Sequence, residues 1–103
     1  MTTFEKIEKE LNKAEVRYGE AEGKLKQWEE GNKQKRLEEL EKKLDNGEYR
    51  DEKQEKRWEK QIDELKKEKE RLEKNVDDRL KQVEEWGKAL RDFGKGEGNK
   101  QIA

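Results

Sequence analysis

From Phe4 the apolar residues of this chain recur at Ile7, Leu11, Ala14, Tyr18, Ala21, Leu25 and Trp28, alternating steps of three and four. That spacing is the a/d seam of a heptad-repeat helix; a half-buried strand would instead place an apolar residue at every second position. A second seam reads Trp58, Ile62, Leu65, Leu72, Val76, Val83, Trp86, Leu90 and Phe93, with Lys69 and Arg79 filling the two polar positions between. Asp45-Asn46-Gly47-Glu48 separates the two runs. Asn-Gly accepts positive φ and stops a helix, so the chain is expected to turn there.

The two seams fit one another. Two antiparallel helices pair residues whose numbers add to a constant, and the constant here is 97: Phe4 meets Phe93, Ile7 meets Leu90, Leu11 meets Trp86, Ala14 meets Val83, Ala21 meets Val76 and Leu25 meets Leu72. The midpoint of that pairing falls between Glu48 and Tyr49, beside the turn signal. Arg79 then lies opposite Tyr18 and Lys69 opposite Trp28, each a cation beside an aromatic ring. The fold class expected is all-α, an antiparallel two-helix coiled-coil hairpin. Residues 1–93 form it, with helix one over about 3–45, a turn at about 45–50 and helix two over about 50–93, and 94–103 follow as a flexible Gly-rich tail.

The pattern fails near the turn. Past Trp28 the 97 pairing sets Asn32, Lys35 and Glu39 against Leu65, Ile62 and Trp58, while the apolar residues of the first run are Leu37, Leu40 and Leu44. At about 100° per residue, Leu37 would stand opposite Trp28 on an unbroken helix. A break or kink is therefore expected at 30–33, with Gly31 ending one helix and Asn32 capping the next.

The composition allows only a thin core: 53% of the 103 residues are charged and 26% hydrophobic. The 27 basic and 28 acidic residues nearly cancel, which separates the chain from sequences that a lopsided charge keeps disordered. Acid-to-base pairs at i,i+4, among them Glu20 with Lys24, Glu39 with Lys43, Asp63 with Lys67 and Glu70 with Lys74, support helices in water.

Chemistry is poorly provided for. The chain has no Cys, no His and no Ser, which removes the thiolate and hydroxymethyl nucleophiles, the commonest general base and the commonest transition-metal ligand. The acidic pairs Asp51-Glu52 and Asp77-Asp78 lack a shielded pocket to separate their proton affinities, and the turn lacks calcium-loop spacing. Gly19-x-x-x-Gly23-Lys24 is one residue short of a phosphate loop and is followed by Leu25 where Ser or Thr belongs. No catalytic residue, cofactor or metal site is expected, and no enzymatic activity.

The function expected is a non-catalytic coiled-coil module for protein–protein interaction, self-association or spacing. Its interaction seam is the two apolar runs named above, with Leu37, Leu40, Leu44 and Leu80 as further partner-facing positions. The partner is a protein, including a second copy in a homodimer or four-helix bundle. With no basic excess, neither nucleic acid nor an anionic membrane is an expected partner, and the alternative function is a charged arm contacting RNA or DNA. The start MTTFEKIEKE has no apolar signal-peptide run and no stretch has the length of a membrane span, so a soluble, cytoplasmic chain is expected.

Overall fold

The computed structural model of the chain describes residues 2–102, with side chains over residues 2–94. Among the described residues every regular element is a helix: α1, Thr3–Glu30; α2, Asn32–Asp45; and α3, Glu52–Ile102. The heptad reading expects two helices and three are present, because the first is divided at Gly31. The stretch 94–103 expected as a flexible tail is, as far as Ile102, the last part of α3, and its side chains beyond Gly94 lie outside the description.

Each helix start and stop has a local cause. At the head of α1 the Glu5 N–H donates to the Thr2 hydroxyl over 3.2 Å, an N-cap. At the end of α2, Gly47 takes φ 66°, its N–H donates to the Leu44 carbonyl over 3.0 Å, and the Glu48 N–H donates to the Lys43 carbonyl over 2.9 Å. Those two bonds are the Schellman closure of a helix, and a residue with a Cβ would be strained at the glycine position. The head of α3 closes reciprocally: the Gln54 N–H donates to the Asp51 carboxylate over 2.8 Å, and the Gln54 side-chain oxygen accepts from the Arg50 N–H over 2.7 Å.

The head of α2 is different. Gly31, not Asn32, is its N-cap, in an extended conformation with φ −91° and ψ −178°, and no side chain caps the helix. That conformation is open to any residue. What requires glycine is space, since a Cβ would lie 2.8 Å from the Gln27 carbonyl oxygen.

The chain divides into two compact units, Met1–Glu22 with Asn75–Ala103, and Gly23–Lys74. In the first, Ala14 and Ala21 are buried and the Phe4 and Phe93 rings meet at 5.9 Å between centroids, tilted by 35°. In the second, Trp28, Leu37, Leu40 and Ile62 form one buried cluster, with Leu44, Trp58, Leu65 and Leu72 packed against it. The break explains that cluster: one extended residue re-aims α2, so that Leu37 and Leu40 join Trp28 on a single inward side.

Candidate interaction surface

In the Gly23–Lys74 unit the cluster is closed by polar side chains whose stems cover it. Lys69 stands over the Trp28 ring at 5.8 Å, as its place opposite Trp28 predicts, and Lys43 stands over Trp58 at 5.7 Å. The Lys33 ammonium is 2.6 Å from the Glu68 carboxylate, Lys69 donates to the Gln34 side-chain oxygen over 3.2 Å, and Lys66 lies 3.4 Å from Glu41. These links are invisible to the 97 pairing, which sets Lys33, Gln34 and Glu41 against other residues; their numbers add to 101, 103 and 107. The Lys33 hydrogen bond, acting against burial, holds the Glu68 carboxyl below its ordinary range, with a smaller contribution from the Trp28 indole. The indole nitrogen itself is buried without a partner in hydrogen-bond geometry.

Leu37 and Leu40 are buried and Leu44 is half-buried against the same cluster. The structure therefore places these three in a core, where the heptad reading sets them on a partner-facing side. The reason is again the break at Gly31. Leu25 is half-buried. Beside the break an open groove is lined by Lys24, Gln27, Trp28, Gly31, Asn32, Lys33 and Leu72.

In the other unit the seam is covered less completely. Ile7, Leu11, Tyr18, Val76, Val83, Trp86, Leu90 and Phe93 are all half-buried, and Phe4 is 41% exposed. Leu80 is exposed beside the seam, and Val16 is 61% exposed on an α1 face otherwise made of charged and amide side chains such as Glu8, Asn12 and Arg17. Arg79 does not cover Tyr18 by hydrogen bonding; its guanidinium donates to Gln82 over 3.3 Å. The Tyr18 hydroxyl is held above its ordinary range by hydrogen bonding to Glu22, by burial, and by the charges of Glu22 and Asp77.

On the outer surface, Glu39 pairs with Lys43 over 3.1 Å and Asp63 with Lys67 over 3.0 Å, two of the expected i,i+4 pairs. The Lys43 hydrogen bond and charge lower the Glu39 carboxyl. No group of three or more carboxylates is gathered as a metal would need among the described residues, and no helix there is long and apolar enough to cross a membrane. Gly19 and Gly23 face open space. Comparison with protein families, with curated proteins and with solved structures finds no match to this chain.

Proposed function

We propose that the chain is a non-catalytic coiled-coil module in which helix segments pair antiparallel within each unit, and that it serves protein–protein contact, first with a second copy of itself. Support for the pairing comes from residue numbers. Phe4 with Phe93 and Trp28 with Lys69 both add to 97, whereas beyond Gly31 the contacts Lys33 with Glu68 and Lys43 with Trp58 add to 101. Low numbers meet high ones on both sides of the break.

The observation that carries the interaction reading is the incomplete cover of the Met1–Glu22 and Asn75–Ala103 unit. Of its seam residues only the two alanines are buried, and Leu80 stands exposed next to half-buried Val76 and Val83. A helix surface of this kind gains by burying its aromatic and branched residues against another helix. The measurement is sedimentation velocity from micromolar to millimolar protein. The expected mass rises with concentration from the 12.5 kDa of one chain, and Leu80→Glu reduces the rise. A single-chain mass throughout, unchanged in Leu80→Glu, excludes self-association.

A further inference from the structure

Over the first part of α3 the charges are sorted around the helix. At about 100° per residue, Lys53, Lys56, Arg57, Lys60, Arg71 and Lys74 fall within one arc of about 100°. Glu52, Glu55, Glu59, Asp63, Glu70 and Glu73 fall within an adjoining arc of about 80°, which also holds Lys66. The core side chains Trp58, Ile62, Leu65 and Leu72 mark the inward side, and the cationic arc points roughly the other way. All six of these cations are exposed. Lys67 shares their arc and pairs with Asp63, but none of the six has an ion-pair partner among the described residues. Over residues 53–74 the arc holds one acid, Glu64, and no apolar residue; Asp78 follows on the same arc.

Part of this arrangement works against the helix that carries it. Lys53 with Arg57, Lys56 with Lys60, Arg57 with Lys60 and Arg71 with Lys74 are like charges three or four residues apart, each unfavourable. Lys53 also stands in the first turn, where the helix dipole disfavours positive charge. The i,i+4 pairs Glu52 with Lys56 and Glu70 with Lys74 offset part of that cost.

We propose that this face of α3 binds the sugar–phosphate backbone of a nucleic acid. The cations run for about 31 Å along the axis, a linear stripe matched to a linear polyanion. A protein partner would bury an apolar or aromatic anchor, and a membrane-seated helix would insert one; this face has neither. The near-zero net charge of the chain does not by itself exclude this, because six of the acids in this stretch lie on an arc centred about 110° away. At the shared edge Asp63 neutralises Lys67, so the cations left for a polyanion are the six that make no ion pair. The proposal is independent of self-association.

The test is fluorescence anisotropy with the full chain and two labelled probes, single-stranded oligouridine and a mixed-sequence DNA duplex, each of about 20 nucleotides per strand, at roughly 50 and 200 mM salt. Binding is expected at the lower salt and falls at least about tenfold at the higher. The triple variant Arg57→Gln, Lys60→Gln, Arg71→Gln loses about tenfold or more in affinity, and its salt slope shrinks by about two. Lys9→Gln, Lys13→Gln, Arg17→Gln on α1 removes the same charge and loses clearly less. Circular dichroism of the stripe variant shows equal or greater helix content, since repulsion is relieved, and the charge-preserving Arg57→Lys with Arg71→Lys binds like the parent. Failure of both probes to bind at the lower salt, or equal losses in the two triples, overturns the proposal. So does equal competition by poly-glutamate or by phosphatidylserine vesicles, which would transfer the face to an acidic protein or a membrane surface.

Discussion

Trp28 and Leu37 lie in one buried cluster although a step of nine residues would set them on opposite sides of a continuous helix. The single extended residue at Gly31 reconciles the two. Its place in the fold is thus a geometric device: it converts a phase error in the apolar pattern into a closed core.

Gly31→Ala is accordingly expected to destabilise the protein. The φ of −91° costs alanine nothing, but its Cβ would stand 2.8 Å from the Gln27 carbonyl oxygen, a backbone atom that cannot rotate away. Crowding of this kind costs about 1–3 kcal/mol. Urea denaturation should show a lower midpoint with an unchanged slope, and a higher midpoint would mean that α1 and α2 merge into one helix when given the propensity to do so.

Leu40 has no exposed surface, whereas Val16 is 61% exposed. Leu40→Ala should cost about 2–3 kcal/mol, the lower part of the range for buried leucine, because a thin core can partly collapse around the loss. Val16→Ala should fall within about 0.5 kcal/mol of the parent. Equal losses in the two variants would place the apolar face of α2 outside the core.

The helical character of the chain is readable from heptad spacing because seam residues repeat over many turns, and the division of the first helix is readable from the slip between Trp28 and Leu37. The destination of Leu37, Leu40 and Leu44 is not. A phase slip says that rotation must occur, but the inward or outward sense of the three leucines depends on the backbone path at Gly31, where a missing Cβ leaves no periodic signal. The contacts of Lys33 with Glu68 and Lys43 with Trp58 escaped for the same cause, since the pairing number changes across the break. The sorting of charge along α3 is hidden by counts, in which 27 bases and 28 acids cancel; it emerges once the inward side of the helix is known.

The Lys33 and Glu68 pair sets a pH dependence. The folded carboxyl titrates below its ordinary value of 4.5, mainly through the Lys33 hydrogen bond, so the pair's stabilisation is present above that value and is lost as pH falls through the lowered one. Both side chains are more than a third exposed, at 59% and 41%, so the contribution is small and screened by salt. Melting curves from neutral to about pH 3 should lose stability less steeply in Glu68→Gln than in the parent, with the gap closing at high salt. A Glu68→Gln variant as steep as the parent would remove Glu68 from the acid response.

Antiparallel pairing in the Met1–Glu22 and Asn75–Ala103 unit makes a cross-linking prediction. If residue numbers adding to 97 meet there, as they do at Phe4 and Phe93, Ala14 faces Val83. Their Cα atoms should approach the ~4.4–6.8 Å that a disulfide spans. Ala14→Cys with Val83→Cys should therefore close under mild oxidation in dilute solution. Ala14→Cys with Leu90→Cys should not, because seven residues of helix displace the second thiol by about 10 Å. Mass spectrometry of the non-reduced product separates closure within one chain from a covalent dimer. A dimer formed by the matched pair alone would keep the register and move the pairing between chains, while closure by the mismatched pair alone would reject the register.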